Sequence, residues 1–453
     1  MSLEVIVLAA GQGTRMRSER PKVLHELAGR PLIAHVLERA RTLGPGRITV
    51  VYGHGGEAVP AAVGDPSIRF VRQDEQLGTG HAVRLALPDC ADDATVLVMY
   101  GDIPLIEPGT LSRLVDAAAG ALAVLTVELD EPGAYGRILR SGGKVTAIVE
   151  AKDADAGELA IREVNTGFVA APRGLLAGWI RRLGNDNAQR EYYLTDIAAM
   201  AAADGVAVNA VRAADPGEVE GINTRAELAR AERRWQLGIA RRLMDAGVTV
   251  ADPARLDVRG EVTAGEDCFL DVNVVLEGVV TLGRGVRVGP GCVIRDANID
   301  DGAEVHAMSV VEGARVAAGC HVGPFARVRP GTVLEAGARL GNFVETKETR
   351  VGPGSKVNHL SYVGDCDIGR DVNVGAGVIT CNYDGASKHR TVIGDEAFIG
   401  SDCQLVAPVE VGAGATVGAG TTLTRNAPAA QLTVGRAPQR TVAGWRRPRK
   451  KDE

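Results

Sequence analysis

Residues 393–423 read IGDEAFIGSDCQLVAPVEVGAGATVGAGTTL. In this stretch Ile393, Ile399, Leu405, Val411, Val417 and Leu423 stand six apart. An α-helix repeats every 3.6 residues and a strand every two, so this period matches neither a helix nor a hairpin series. It fits a parallel β-helix, in which each hexad forms one flat side, the aliphatic residue points inward, and glycine and small residues fill the corners. Upstream, Val316, Val322, Val328, Leu334 and Leu340 keep the same beat, and Leu282, Val288, Ile294 and Val351, Val357, Val363 extend it. Aromatic residues make up 4% of the chain, as expected for a narrow prism lined by Val, Ile and Leu. The beat breaks at 381–391 (CNYDGASKHRT), and an insertion in a coil is expected to project as a loop on the binding face.

The first half has a different pattern. EVIVLAA, RITVVY, IRFV and TVLVMY are short apolar runs, and PLIAHVLERARTL and TGHAVRLAL between them have helical spacing. That alternation predicts a mostly parallel sheet with helices on both faces. Ligands in such sheets bind beyond the carboxyl ends of strands. A glycine-rich loop in IVLAAGQGTRMRSERPKVLH (6–25) and the pair Gly101–Asp102 both fall at such ends. Between the halves, residues 224–246 predict one long helix, with Thr224 and Glu227 as a capping box and Gly247 as its stop. It reads equally as a connector or as the last helix of the first domain. The expected organisation is residues 1–224 as one domain, 225–250 as a linker helix and 251–453 as the repeat domain with a basic tail.

At 453 residues the chain exceeds one ordinary core. A formal net charge of −6 argues against a general nucleic-acid binder. No apolar run is long enough to span a bilayer, and a strand at Leu3–Ala9 in place of a basic leader argues against a signal peptide. The seven cysteines are odd in number and scattered, without a CxxC, which fits free thiols in a reducing cytoplasm.

Gly11–Met16 is not a Walker loop, because no GK[ST] ending follows. It is not a dinucleotide fingerprint either, because Met16 stands where the third glycine belongs. Arg15 and Lys22 flank it, so backbone N–H groups and two cations can cradle a triphosphate. The bland alternative is a plain strand-to-helix turn with surface cations. LAAGQGTRM with Pro21-Lys22 resembles the sugar-1-phosphate nucleotidyltransferases. The same order continues through Gln73, Gln76-Leu77-Gly78-Thr79-Gly80, Tyr100-Gly101-Asp102, Tyr135-Gly136-Arg137, Glu150, Asn165-Thr166-Gly167 and Glu220-Gly221-Ile222-Asn223. The closest resemblance is to N-acetylglucosamine-1-phosphate uridylyltransferases. It implies a Rossmann-like domain in which a sugar phosphate attacks the α-phosphorus of UTP and pyrophosphate leaves. It implies Mg²⁺ on Asp102 and Asn223, and Arg15 and Lys22 as catalytic cations. Leu8, Ala9, Gly11, Gln73, Gly78, Thr79 and Tyr100 would bind the nucleotide, and Gly136, Glu150 and Asn165 the sugar. Gln12 stands where Lys or Arg is frequent in these proteins, which removes one cation from the loop.

In the second half, His306, His321, His359 and His389 are scattered singly with no close ligand pair, so metal binding is the poorer reading. His359 stands among Lys347, Asn358, Tyr362 and Asn373, polar groups in an otherwise aliphatic series. A lone histidine is usually structural. However, GNFVETKETRVGPGSKVNHLSYVGD and NVGAGVITCNYDG resemble the acetyltransferase half of the GlmU family. The resemblance then covers nearly the whole chain. It implies a left-handed β-helix, a homotrimer, and acetyl transfer from acetyl-CoA to glucosamine-1-phosphate. An attacking amine must lose a proton, and an imidazole is a fitting general base. His359 takes that role by resemblance, with Glu345 orienting or polarising it. Arg329, Lys347, Tyr362 and Asn373 would hold the sugar phosphate. Ala376, Ser401, Ala419 and Arg436 would contact acetyl-CoA, and Asn382 and Tyr383 would stand at both the sugar and acetyl-CoA sites. The basic run 445–451 reads either as a solvated terminus or as a reach toward CoA phosphates.

Two other functions stand beside the bifunctional one. The first is a monofunctional nucleotidyltransferase whose β-helix is structural or binds effectors. The His359–Tyr362 cluster, the 381–391 loop and the basic tail count against it. The second is a regulatory protein with a vestigial nucleotide site. The intact set Arg15, Lys22, Asp102 and Asn223 counts against that.

Overall fold

The computed structural model describes residues 2–11, 13–53 and 55–447. Gln12 and the tail from residue 448 lie outside the described residues. The chain forms two compact units that meet in sequence between Trp235 and Gln236.

The first unit is built on one sheet. Its strands run, in spatial order, Val208–Arg212, Leu122–Glu128, Glu163–Pro172, Thr95–Tyr100, Leu3–Ala9, Arg47–Tyr52 and Ile68–Arg72. Most pairs are parallel, as the alternation of strand and helix patterns predicts. Glu163–Pro172 departs from this and runs antiparallel to both of its neighbours. Side chains alternate across the sheet, and the central strand shows the consequence. Val5, Val7 and Ala9 enter a core with Ile33, Val36 and Leu37 of the helix Leu32–Arg41. Ile6 and Leu8 enter the opposite core, with Ala82 and Val83 of Thr79–Ala86 and Trp179 of Arg173–Arg182. The carboxyl ends of Leu3–Ala9 and Thr95–Tyr100 are therefore held on two sides and deliver Gly11 and Asp102 to the same edge.

The helix Arg225–Asp245 starts at a capping box. The Glu227 backbone N–H donates to Thr224 Oγ1 at 3.2 Å. The Glu227 carboxylate accepts from the N–H of Thr224 at 2.8 Å and from that of Asn223 at 2.7 Å. Trp235 meets His35 edge to face at 4.5 Å in the first unit, and the Gln236 amide bonds the backbone of Val258 in the second.

The second unit is a ladder of short parallel strands in two long sheets. Leu270, Val288, Val305, Val322, Leu340, Val357 and Val374 pair in succession, 17 or 18 residues apart. Three hexads make an 18-residue coil, and the steps of 17 shorten one side by a residue. Val316, Val322, Val328, Leu334 and Leu340 are all buried. Val374 then pairs with Ile399, and the longer step contains the inserted loop. All seven cysteines are free, five of them inside the β-helix at buried positions. No helix among the described residues is long and apolar enough to cross a membrane.

Candidate active sites

At the edge of the first sheet, Lys22, Asp102 and Asn223 converge. The Lys22 ammonium pairs with the Asp102 carboxylate and donates to Asn223 Oδ1 at 2.9 Å. Two elements far apart in sequence place these oxygens. Asp102 follows Thr95–Tyr100, and Asn223 is fixed by the start of the long helix through Glu227. Gly13 brings the loop close to Lys22. Its φ is +61°, and a Cβ there would lie 2.7 Å from Lys22 Cβ.

A cavity of about 460 Å³ opens beside this cluster. Leu8, Ala9, Gly11, Lys22, Gln73, Gly78, Thr79, Tyr100, Asp102 and Asn223 line it, which gathers ten of the sequence-predicted residues in one place. Glu191 also lines it and was not anticipated. Gln73 is buried, with its amide Nε2 3.2 Å from the Gly78 carbonyl and 3.1 Å from His81 Nδ1. Nothing in the sequence pattern singled out His81 as the brace. A second cavity of about 820 Å³ shares Tyr100, Asp102 and Asn223 with the first and is lined by Arg15, Tyr135, Glu220 and Arg234.

Gly136, Glu150 and Asn165 line neither cavity and cluster with one another. The Asn165 N–H donates to the Gly136 carbonyl at 2.8 Å, and a Cβ on Gly136 would meet Glu150 Oε2 at 3.5 Å. Asn165 sits where the strand shifts register, so its side chain leaves the regular ladder and accepts from the Gly167 N–H at 3.1 Å. Burial pushes the Glu150 carboxyl up, and Asp196, Asp153 and Glu191 add to the shift against the Thr195 hydroxyl. Burial likewise raises the Tyr100 hydroxyl, with the charges of Glu150 and Asp102 adding to it.

On the β-helix, His359 is exposed and its Nδ1 lies 2.9 Å from Asn342 Oδ1. These two residues are register partners on adjacent coils. Glu345 is not the partner of the imidazole. Its carboxylate accepts from Arg329 at 2.8 Å. Glu345 and Tyr362 are paired across adjacent coils, as are Lys347 and Gly364. The absence of a side chain at Gly364 admits the Tyr362 hydroxyl, which would lie 2.5 Å from a Cβ there. The same hydroxyl is 3.5 Å from the Asn382 amide, which also donates to Asp365 at 2.5 Å. Lys388, from the inserted loop, crowds Lys347. The hydrogen bond between the two side-chain nitrogens, with the like charge of Lys388 and then that of Arg329 adding to it, lowers the Lys347 ammonium from its ordinary value.

The inserted loop closes on itself. Asp384 accepts from the N–H groups of Ala386 and Ser387 at 2.8 and 2.7 Å and pairs with His389 at 2.7 Å. The Tyr383 hydroxyl donates to the Gly385 carbonyl at 2.6 Å and leaves the ring exposed. Asn373 lies beside Lys356 in the neighbouring file. Ala376, Ser401 and Ala419 occupy corners of successive coils. The Asp402 N–H donates to the Ala376 carbonyl at 2.8 Å, and the Gly420 N–H donates to the Ser401 carbonyl at 2.9 Å. Arg436 reaches back to the Ala419 carbonyl at 2.5 Å. On the β-helix, Asn342 and Lys388 are the residues that sequence reasoning missed, as Glu191 and His81 are in the first unit. Asn342 stands one coil before His359, so coil spacing could have found it. Lys388 depends on how the insertion folds, which no period reports.

Residues 5–166 match the MobA-like NTP transferase domain family, and residues 390–425 match the bacterial transferase hexapeptide family. Together with the two sites, these matches define a two-part transferase, with a nucleotide half and a hexapeptide half. The chain is 60% identical to the bifunctional protein GlmU of Alkalilimnicola ehrlichii, over 99% of this chain and 97% of that one. It is 57% identical to that of Aromatoleum aromaticum and 55% identical to that of Marinobacter nauticus, each over 99% of both chains. The chain belongs to the GlmU family. It is a bifunctional enzyme with a nucleotidyltransferase half and a hexapeptide acetyltransferase half.

Proposed function

We propose that the carboxyl-terminal site acetylates glucosamine-1-phosphate from acetyl-CoA and that the amino-terminal site then joins the product to UTP, yielding UDP-N-acetylglucosamine and pyrophosphate. The observation that carries this reading is the presence, on one chain, of a Lys22–Asp102–Asn223 cluster at a nucleotide-sized cavity and, on the β-helix, of a braced His359 and a cationic patch of Arg329, Lys347 and Lys388.

At the amino-terminal site no protein nucleophile is needed, so the chain positions substrates and offsets charge. Asp102 and Asn223 present a carboxylate and an amide oxygen to one cation, the Lys22 ammonium. Hard oxygen donors of this kind suit Mg²⁺, which when bound neutralises phosphate charge. Lys22 and Arg15 then face the triphosphate, and Gln73, fixed by His81, presents its amide to the base. Glu150 and Asn165 accept and donate to the sugar.

At the carboxyl-terminal site Arg329, Lys347 and Lys388 hold the sugar phosphate. With the proton of the imidazole on Nδ1, donated to Asn342, Nε2 is free to take a proton from the attacking ammonium-derived nitrogen. The new C–N bond forms at the thioester carbonyl, the C–S bond breaks, and CoA leaves as the thiol after accepting a proton. Tyr362, Asn373 and Asn382 orient the sugar. Ala376, Ser401, Ala419, Arg436 and Tyr383 line the approach of acetyl-CoA.

A homotrimer is supported by an exposed apolar file beside His359. Phe325 (51% exposed), Phe343 (56%) and Leu360 (62%) stand on successive coils, and the two phenyl rings stack at 5.4 Å. Such a file on a rigid prism is the kind of surface that copies of one chain cover. Seven free cysteines support residence in a reducing cytoplasm. The test is to supply glucosamine-1-phosphate and acetyl-CoA without UTP and follow free thiol. Stoichiometric thiol release is expected. Its absence, with pyrophosphate still released from UTP and N-acetylglucosamine-1-phosphate, would reduce the β-helix to a scaffold or effector module.

A further inference from the structure

We propose that Glu304, His306 and His321 form a site for one divalent transition-metal ion of the zinc class, separate from both candidate active sites. Scattered in sequence, the three are brought together by the coil. Glu304 and His321 are register partners on adjacent coils, and His306 lies two residues beyond Glu304 and so on the same face. Glu304 Oε2 lies 3.7 Å from His306 Nε2 and 3.6 Å from His321 Nδ1, and the three ligand atoms all lie within 4.8 Å of one another. The imidazoles are nearly parallel, 16° apart, with centroids separated by 5.8 Å.

These distances are close to what a metal needs. Bonds of about 2.0–2.1 Å in a tetrahedral site set neighbouring ligand atoms about 3.3–3.5 Å apart. Small rotations of the half-exposed side chains close the remaining gap. Two imidazoles and one carboxylate select zinc or a similar ion over Mg²⁺ or Ca²⁺, which prefer oxygen alone.

The surroundings leave room for the ion. The residues after Val288 and Val322, the coil partners of Val305, are Gly289 and Gly323, so no side chain stands directly beside His306 in the coil before or after. Arg287, the partner of Glu304 in the preceding coil, lies over the Phe269 ring at 4.9 Å. Among the described residues the Glu304 carboxylate pairs with the two histidines and with no lysine or arginine. A cavity of about 390 Å³ reaches Glu304 and His306 and admits a water or other fourth ligand. An ion held there ties one coil of the β-helix to the next.

The test uses the full-length protein, stripped with a chelator and titrated with Zn²⁺ by calorimetry in excess Mg²⁺, which occupies the hard-oxygen pair Asp102 and Asn223. One tight Zn²⁺ per chain is expected. Substituting Co²⁺ should give the visible spectrum of a nitrogen-ligated, low-coordinate ion. Because the loss of outer-shell partners alone weakens metal sites about 10- to 100-fold, His306→Ala and His321→Ala should each weaken binding more than about 100-fold. Glu304→Gln, which keeps the shape, should weaken it at least about tenfold. The variants should retain thiol and pyrophosphate release and melt without metal at the wild-type temperature. Zn²⁺ binding that is unchanged in the His306→Ala/His321→Ala double variant, or no saturable binding by the wild type, would overturn the proposal.

Discussion

In the proposed mechanism Asn342 acts on acetyl transfer only through His359. Its carboxamide oxygen fixes which imidazole nitrogen carries the proton and where the other nitrogen points. A general base contributes roughly 10²- to 10⁴-fold. Loss of its brace should cost part of that: Asn342→Ala is expected to lower kcat for thiol release about 10- to 100-fold, with the KM for acetyl-CoA unchanged and pyrophosphate release intact. A rise in KM with kcat preserved would make Asn342 a substrate contact instead of a positioning residue. Glu150 makes a second prediction at this scale. Burial raises its carboxyl above the ordinary 4.5, so it takes up a proton at a higher pH than an exposed glutamate. A protonated Glu150 is a poorer acceptor for a sugar hydroxyl. In steady-state assays, the KM for N-acetylglucosamine-1-phosphate should rise as pH falls from 7, beginning above the ordinary glutamate range. Glu150→Gln should have a high KM that no longer depends on pH there; an unaltered pH profile would remove Glu150 from the sugar site.

At the scale of elements, Gly13 holds a left-handed backbone in contact with Lys22, and the proposed nucleotide site depends on that contact. Gly13→Ala adds a Cβ into the Lys22 side chain at a φ that disfavours it. Pyrophosphate release should fall at least about tenfold while thiol release stays at the wild-type rate. Equal losses in both assays would instead report general unfolding. The elements differ in how plainly the sequence announced them. The hexads were legible because a coil of three flat sides must return an inward residue every sixth position, and Val316 through Leu340 do so without a break. The long helix was legible from Thr224 and Glu227, whose capping box is formed. The antiparallel course of Glu163–Pro172 was not, because alternation reports that a strand is buried and says nothing about its direction. The inserted loop was legible as an interruption. The place where it delivers Lys388 was not, because that follows from the turn closed by Asp384 and His389.

At the scale of the whole chain, two units of unrelated architecture carry two chemistries that share a metabolite. The convergence of Gly11 and Asp102 was legible because both follow strand ends, and a doubly wound sheet gathers such ends at one edge; Asn223 arrives from the start of the long helix, which no strand pattern reports. The cluster of Glu304, His306 and His321 was not legible, because proximity on a β-helix comes from register 17 residues away. Each unit has its own core, and each candidate site is assembled from residues of one unit. The two activities should therefore separate by mutation. The most direct measurement is thiol and pyrophosphate release assayed in parallel on folded Asp102→Ala and His359→Ala. Asp102→Ala should lose pyrophosphate release and keep thiol release, and His359→Ala should lose thiol release by about 10²- to 10⁴-fold and keep pyrophosphate release. Loss of both activities in either folded variant would contradict two independent sites.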